Sequence, residues 1–326
     1  MNFNGIILVD KEAGMTSFSV DSCIRKMCNT RKVGHSGTLD PFATGLLPVF
    51  VGDGLRFVRY TDNYDKAYRA TAVLGISTDT MDCDGEILSR HDMNNGEICR
   101  LLDNDGSEVR KAFDEIVKCE LQMPPKYSAK KINGQKAYDL ARAGVEFELK
   151  PNKIKIYSID IHSIKEETVY FKDEIFNSIV IDFTVSCSKG TYIRTICDDL
   201  GRILGTGAYC NKLRRLKCGS FDVSDAKRID ELKSLSEQEL SSTMLQGDKA
   251  LSFMPKLELN EVQFSMVKVG KKLKAAAFGK LINRENPDIR YRAVYQGKTV
   301  AVVYYSEEET DEGLKQLLRI ERMLWK

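Results

Sequence analysis

The sequence has few of the residues that bind metals or form cross-links. Its three histidines, at positions 35, 91 and 162, are far apart in the chain, and its nine cysteines include no Cys-x-x-Cys pair. An odd number of scattered cysteines is typical of the reduced thiols of a cytosolic protein, and not of a disulfide framework. We therefore expect no zinc site and no other metal site.

Long apolar runs are also missing. No stretch approaches the roughly eighteen apolar residues of a membrane span, and the first residues, Met1 to Gly5, show neither a basic segment nor a long apolar one. These features predict a cytoplasmic protein with no membrane contact.

The common cofactor-binding loops are incomplete or absent. The string Gly205-Thr206-Gly207 lacks the third glycine of a dinucleotide fingerprint, because Cys210 stands there. An EF-hand alignment of the Asp84-Gly85 segment places Thr80 first and His91 twelfth, where calcium ligands are required. Asp84-Gly85 instead predicts a hairpin turn. No Walker loop is found, and we expect no cofactor.

The chain has 326 residues, of which 42% are hydrophobic and 29% charged, enough for one large domain or two unequal ones. The net charge is only +2, but basic residues are concentrated in three segments. Seven lie between Ser186 and Ser220, and the other two groups are Lys126, Lys130, Lys131 and Lys136, and Lys268, Lys271, Lys272 and Lys274. Separate basic patches suit a folded polyanion that touches several places; for any single patch, solvated surface lysines are an equal alternative.

The most informative stretch runs from Gly34 to Val49. It contains three glycines, two prolines and several hydroxyl side chains around a single carboxylate, Asp40. This composition opposes a helix or a central strand and favours a loop close to a ligand. An acid held on such a loop can be a nucleophile or a base; a tight turn with a solvated aspartate is the alternative.

The string Gly34-His35-Ser36-Gly37-Thr38-Leu39-Asp40-Pro41 resembles the catalytic motif of the TruB family, the bacterial tRNA pseudouridine-55 synthases. The resemblance implies that Asp40 is the catalytic nucleophile and that His35 contacts the substrate. It extends over most of residues 5–220.

Two further motifs carry the same resemblance. Tyr68 stands in a Lys-x-Tyr context that ends in Leu-Gly, and Arg194 closes a Gly-x-Tyr-Ile-Arg string with Tyr192. The resemblance implies that Tyr68 stacks on the target base and assists proton transfer, that Arg194 pairs with Asp40, and that Tyr192 lines the pocket. Independently of the resemblance, a cation in the first turn of a helix, such as Arg194, is opposed by the positive end of the helix dipole. It is therefore expected to have an anion as its partner. The alternatives are a packing tyrosine and a solvated arginine.

Three residues complete the expected site. The resemblance places Lys11 near the active site, Arg56 where a basic residue can reach a phosphate, and Leu213 under the base. A surface lysine at a turn is the alternative for Lys11.

The element pattern predicts an α+β protein. The resemblance implies a catalytic domain at residues 1–248, with a large mixed, mainly antiparallel sheet flanked by helices. Strands are predicted at 5–10, 67–74, 153–162 and 179–187. Residues 122–150 resemble the thumb-like RNA-binding insertion of the family. Alternation near the C-terminus predicts a small β-rich domain at 249–326, which resembles a PUA domain. The acidic run from Glu307 to Glu312 is expected to be a solvated loop.

The resemblance implies an enzyme that isomerises uridine 55 in the T-arm stem-loop of tRNA by flipping the base toward Asp40. It implies no guide RNA and no obligate protein partner, and we expect a monomer. A glycoside hydrolase would need two facing carboxylates, and the Asp40 motif shows one. A non-catalytic RNA-binding protein and a guide-dependent, dyskerin-like synthase remain as alternatives.

Overall fold

The computed structural model describes residues 3–128, 130–132, 134–310 and 313–324. The side chains of Lys131 and Lys136, from the second basic segment, lie outside the described residues, as do Asp311 and Glu312 of the acidic run.

The strands, in chain order, are β1 (Gly5–Lys11), β2 (Val33–His35), β3 (Thr44–Val51), β4 (Lys66–Leu74), β5 (Ile76–Thr78), β6 (Ile87–Arg90), β7 (Leu121–Gln122), β8 (Lys131–Ile132), β9 (Gln135–Lys136), β10 (Asn152–Lys153), β11 (Ile156–Phe171), β12 (Glu174–Cys187), β13 (Ala208–Cys218), β14 (Phe221–Asp222), β15 (Lys256–Glu258), β16 (Leu273–Lys274), β17 (Arg290–Tyr295), β18 (Lys298–Thr310) and β19 (Gly313–Met323). The helices are α1 (Ser17–Met27), α2 (Asn95–Val117), α3 (Ala137–Arg142), α4 (Ile193–Leu204), α5 (Ile229–Lys233), α6 (Glu237–Thr243) and α7 (Glu261–Lys268). Short 3₁₀ segments lie at Gly52–Tyr60, Val223–Asp225, Gly247–Leu251 and Ala275–Leu281.

The larger sheet has the strand order β1-β3-β13-β4-β12-β11, with β2 added to β3 and β14 added to β13. Its pairings are antiparallel except for β3 with β13, which run parallel over Thr44 and Gly45 opposite Arg214 and Arg215. The predicted mixed, mainly antiparallel sheet is confirmed.

Alternation along the strands decides which face is covered. Ile179, Ile181, Phe183 and Val185 of β12 are buried in one core, together with residues of α2 and α4. Asp182, between them in sequence, forms an ion pair with the half-exposed Arg69 of β4. Around Asp182 the sheet is therefore packed against helices on one face and carries polar side chains on the other, as an antiparallel sheet allows. Elsewhere on that second face, Val73, Val180 and Tyr209 belong to another buried cluster.

Three strands, β3, β11 and β12, differ from expectation. The Gly34–Val49 stretch is not a loop throughout, because its second half forms β3 with Pro48 inside the strand. Pro48 is tolerated there because β2 ends at His35: the Pro48 carbonyl accepts from Ser36 N–H, and no ladder donor is required from residue 48. The β11–β12 hairpin also extends well beyond the predicted bounds. Residues 165–168 of β11 are polar and exposed and show no apolar alternation, whereas Val169, Phe171 and Phe176 near the tip are buried in one cluster.

The insertion is closed at its base by pairing of β7 with β10. Between these strands lie the β8–β9 hairpin and α3.

The C-terminal sheet has the order β15-β17-β18-β19-β16. The β17–β18 hairpin turns at Gln296 and Gly297, both with positive φ. The acidic run corrects one expectation, because Glu307, Glu308 and Glu309 lie within β18. Glu308 is tolerated in the strand since Lys272 and Arg319 both pair with it. A buried cluster of Tyr60, Leu251, Met254 and Val302 joins this sheet to the N-terminal part.

Candidate active site

The Asp40 loop between β2 and β3 is held at both ends by one buried arginine. Arg215 of β13 is 1% exposed, and its guanidinium donates to the carbonyls of Gly37 at 2.8 Å and Leu46 at 2.7 Å. Gly45 permits this approach: its φ is +99°, and a Cβ there would lie 2.3 Å from the Arg215 carbonyl oxygen. The loop is thus clamped against β13.

Lys11 secures the middle of the loop. Its side chain is fully buried, and Nζ donates to the carbonyls of Glu12, Met15 and Pro41 at 2.9, 2.7 and 3.1 Å. Burial lowers the pKa of the Lys11 ammonium to about 8, although the nearby Asp40 carboxylate opposes the shift. Lys11 therefore ties the turn after β1 to the residue that follows Asp40.

Asp40 meets Arg194 through two atoms of each side chain. Nε of Arg194 lies 3.0 Å from Oδ2 of Asp40, and Nη2 donates to Oδ1 at 3.3 Å. The Arg194 side chain is 4% exposed and that of Asp40 36% exposed, so one carboxylate face remains open. A planar guanidinium that grips both carboxylate oxygens fixes the orientation of the acid.

Arg194 is itself held by three further contacts. Nη1 donates to the Thr80 carbonyl at 2.7 Å and to Oδ2 of Asp82 at 3.1 Å, and Nη2 donates to the Tyr127 carbonyl at 2.9 Å. Every guanidinium nitrogen is therefore engaged. The surroundings dictate the rotamer of Arg194, and through it the position of Asp40.

Asp82 is a buried second carboxylate on the same guanidinium. Its Oδ1 accepts from the Thr80 hydroxyl at 2.5 Å and from the Asp84 amide at 3.1 Å. Burial raises the pKa of the Asp82 carboxyl, while Thr80, Arg194 and the Asp84 amide act in the opposite direction.

A cavity of about 270 Å³ lies above the pair, and its lining includes Asp40, Tyr68, Tyr192, Arg194 and Leu213. Tyr68 projects from β4 and is 8% exposed. Burial raises the pKa of its hydroxyl to about 12, although the Arg215 guanidinium beside it opposes the shift. The phenol therefore keeps its proton at neutral pH.

Tyr192 is positioned by the stem of the insertion. The buried side chain of Gln122 in β7 accepts from the Tyr192 N–H at 2.8 Å and donates to the Tyr192 carbonyl at 3.1 Å. Tyr192 is also the N-cap residue of α4, which carries Arg194. The insertion and the arginine helix are thus joined directly beside the cavity.

His35 and Arg56 lie outside the cavity lining. The His35 ring lies between α1 and the Asp40 loop. Its Nδ1 is 3.0 Å from Oδ2 of Asp21 in α1, and its Nε2 is 3.2 Å from the Thr38 hydroxyl in the loop. Arg56 lies in the 3₁₀ segment after β3 and pairs with Asp53 at 3.6 Å. The substrate contacts expected for both residues remain predictions.

Comparison with known proteins places this geometry in a family. A sequence model described as TruB family pseudouridylate synthase (N terminal domain) matches residues 25–193. A second, described as the tRNA pseudouridylate synthase B C-terminal domain, matches residues 194–252. The chain belongs to the TruB family. It is a pseudouridylate synthase, an isomerase.

Curated TruB relatives align over most of this chain. The tRNA pseudouridine synthase B of Lactococcus lactis subsp. lactis (strain IL1403) is 40% identical over 272 residues, which is 83% of this chain and 79% of the relative. The protein of the same name from Clostridium tetani (strain Massachusetts / E88) is 34% identical over 312 residues, 96% of this chain and 98% of the relative.

Solved structures share the fold at lower identity. A chain of a Cbf5-Nop10-Gar1 complex superposes with a TM-score of 0.69 and 22% identity, covering 99% of this chain and 85% of that chain. A chain of an H/ACA RNP bound to a substrate RNA containing 2′-deoxyuridine gives 0.66 and 19%, with the same coverage. The predicted fold class is confirmed.

Three residues of this TruB-family site are not predicted from the sequence. Asp82 lies in an Asp-Gly turn region with no local sign of an arginine partner, and Gln122 precedes a Pro-Pro break. Arg215 follows Arg214 in β13, and only the alternation of the strand separates them: Arg215 is buried, while Arg214 is half-exposed and pairs with Asp10. That alternation is the one signal that could have singled out Arg215.

The described residues offer neither a membrane-spanning helix nor a metal-binding cluster. No helix in the described ranges is long and apolar enough to cross a membrane. The same ranges contain no cluster of three or more histidine, cysteine or acidic side chains that could hold a metal ion.

Proposed function

We propose that this protein converts uridine 55 in the T-arm of tRNA to pseudouridine, with Asp40 as the nucleophile, and that it acts as a monomer in the cytoplasm without a guide RNA or partner protein. The observation that carries the proposal is the two-atom contact between Arg194 and Asp40 at the floor of the cavity. Curated relatives named tRNA pseudouridine synthase B support tRNA as the substrate.

The reaction is an isomerisation. The N1–C1′ bond of uridine breaks, the base turns, a C5–C1′ bond forms, the C5 proton leaves and N1 gains a proton. No electrons are gained or lost, so a carboxylate nucleophile and proton-transfer groups suffice without a cofactor. The open face of Asp40 can attack either C1′ of the ribose or C6 of the base.

The target uridine has to leave its stack to reach Asp40. The cavity of about 270 Å³ is small for a ligand pocket, which favours one flipped nucleotide over several. Tyr68 offers a ring against which the base can stack and a protonated hydroxyl for proton transfer. Leu213 provides an apolar surface under the base.

An assay on unmodified tRNA transcript tests the proposal. Purified protein with a metal chelator, and without nucleotide or guide RNA, should form one pseudouridine, at position 55, mapped by chemical labelling and primer extension. A transcript with cytidine at position 55 is the control. Strict dependence on metal, ATP or a guide RNA, or modification at another position, would contradict the proposal. Binding without any conversion would favour a non-catalytic RNA-binding protein.

We also propose that residues 249–326 form an RNA-binding, PUA-like domain that adds affinity and no chemistry. Lys271 precedes β16 and Lys274 lies in it, and both are exposed, whereas Lys272 is engaged by Glu308. Replacing Lys271 and Lys274 with alanine should weaken tRNA binding and flatten its salt dependence. A collapse of the single-turnover rate at saturating protein, with binding intact, would refute this role.

A further inference from the structure

Tyr157 presents a fixed aromatic ring to solvent near the Asp40 cavity. It lies at the start of β11, where the pairing with β12 shifts register between Ile156 and Ser158. Such a bulge re-aims side chains. The residue is 45% exposed, and its hydroxyl donates to Oδ1 of Asp65 at 3.0 Å, so the orientation of the ring is set.

Backbone pairing brings this ring to the rim of the cavity. Ile156, the preceding residue, pairs with Cys187, and Cys187 pairs with Lys66, whose side chain lines the cavity. Asp65, the partner of the Tyr157 hydroxyl, directly precedes Lys66 in the chain.

Two lysines stand beside the ring. Lys155 places Nζ 5.6 Å from the ring centroid, and its backbone N–H donates to the Ser188 hydroxyl at 2.8 Å. Lys189, next to Ser188, donates to the side-chain carbonyl of Asn63. Gly190, the following residue, belongs to the cavity lining. The cations and the ring therefore share one rim of the site.

An exposed ring flanked by cations fits single-stranded RNA, because rings stack on bases and ammonium groups meet phosphates. A base pair inside a stem has no free face to offer, so the ligand is an unpaired loop nucleotide. The Asp65 carboxylate at the hydroxyl end disfavours a phosphate there, which assigns the phosphates to the side of the ring that carries Lys155 and Lys189.

We propose that Tyr157 is a stacking platform for an unpaired RNA base adjacent to the target nucleotide, with Lys155 and Lys189 contacting the phosphates of that segment. The proposal rests on the proposed function, since it assumes an RNA loop in the cavity. It assigns a second base site outside the pocket that takes the target uridine.

The test uses full-length protein with the Asp40→Asn substitution, so that bound RNA is not converted during titration. The probe is a T-arm stem-loop with 2-aminopurine at each loop position in turn, except the target, because its fluorescence falls on stacking. Tyr157→Leu removes the ring, and Tyr157→Phe keeps the ring and loses the hydroxyl. Tyr170→Leu is the matched control, since Tyr170 is 74% exposed at the far end of the same strand.

We expect Tyr157→Leu to raise the Kd roughly 5- to 100-fold, the range for loss of one stacked base. Tyr157→Phe should bind within about twofold of the parent protein, and Tyr170→Leu should bind as the parent does. One loop position should show quenching with the parent and with Tyr157→Phe, and none with Tyr157→Leu. Lys155→Ala and Lys189→Ala should each lower the slope of log K against log salt by about 0.7.

If Tyr157→Leu and the parent protein bind the stem-loop with equal affinity, Tyr157 is not a stacking platform. An equal loss in Tyr157→Phe and Tyr157→Leu would also overturn the proposal, because the hydroxyl bond to Asp65 would then matter and the ring would not. Binding is measured independently of turnover. If the unsubstituted protein binds the stem-loop but forms no pseudouridine, the proposed function fails. The affinities of Tyr157→Phe and Tyr157→Leu still decide whether Tyr157 is a stacking platform.

Discussion

Arg194 joins two carboxylates: its Nε lies 3.0 Å from Oδ2 of Asp40, and its Nη1 lies 3.1 Å from Oδ2 of Asp82. The first carboxylate is partly open to the cavity and the second is buried. The arginine therefore has one accessible partner and one buried partner, and substitutions can separate the two.

Asp40→Asn keeps the shape of the side chain and removes the proposed nucleophile. We expect pseudouridine formation to vanish while tRNA binding stays within a few-fold, measured by product mapping and by equilibrium binding on one preparation. Near-normal turnover in this variant would end the nucleophile assignment.

Arg194→Lys keeps one positive charge and loses the planar fork. A single ammonium cannot reach both oxygens of Asp40 together with Asp82 and two carbonyls, so the rate should fall by roughly a hundredfold or more. Arg202→Lys, on the exposed side of the same helix, is the control and should be silent. Single-turnover rates at saturating protein decide the comparison.

Asp82→Asn removes the buried charge that supports Arg194. We expect a slower bound step with little change in Kd, and a loss of about 1–3 kcal/mol in the free energy of unfolding. Asp84→Asn is the matched control, because its side chain is exposed and only its backbone amide contacts Asp82. If both variants keep the same rate, Asp82 does not position Arg194.

Tyr68→Phe retains the stacking face and loses the hydroxyl. A role in proton transfer predicts a drop of roughly a hundredfold or more. Because burial holds the pKa of the Tyr68 hydroxyl at about 12, above its ordinary value of 10, the phenol stays protonated below pH 10. The two proteins should therefore show parallel pH–rate profiles between pH 6 and about 9.5. An alkaline inflection that disappears with the hydroxyl would contradict this.

Tyr209→Phe provides the control for that experiment. Tyr209 is also buried, and its hydroxyl has no hydrogen-bond partner among the described residues. Loss of its hydroxyl should leave the rate unchanged.

Gly45→Ala tests the close approach of the Asp40 loop to β13. The new methyl group would meet the Arg215 carbonyl at 2.3 Å, whereas Gly205→Ala, also at positive φ, meets nothing within 4 Å. Both variants are destabilised because alanine disfavours a positive φ. The clash should therefore lower the free energy of unfolding of Gly45→Ala by about 1–3 kcal/mol more than that of Gly205→Ala. Urea titrations of the two variants measure the difference, and equal losses would show that the loop can move away.

Local sequence predicts the parts of this site that lie in local motifs. The α4 helix and its buried stripe, the β4 strand with Tyr68, and the loop around Asp40 all follow from composition and periodicity. The link between Arg194 and Asp82 does not, because it depends on how a turn after β5 meets a helix that comes more than one hundred residues later.

The missed strands have a common physical cause. Residues 165–168 of β11 and the Glu307–Glu309 segment are polar and largely exposed, so neither shows the apolar alternation of a half-buried strand. Their strand conformation is supported by partners distant in sequence, such as Arg319 for Glu308. Tertiary context overrides local propensity at such positions.

The insertion of β13 between β3 and β4 has a consequence for synthesis on the ribosome. Arg215 clamps a loop that was made 169 residues earlier, at Leu46. Until β13 emerges, β3 and β4 have no partner at these edges, and open strand edges invite pairing with other chains. The nascent chain therefore carries Asp40 long before it can hold this residue in place. We expect the Asp40 loop to become protected from protease only in chains long enough to have released residue 218 from the ribosome exit tunnel.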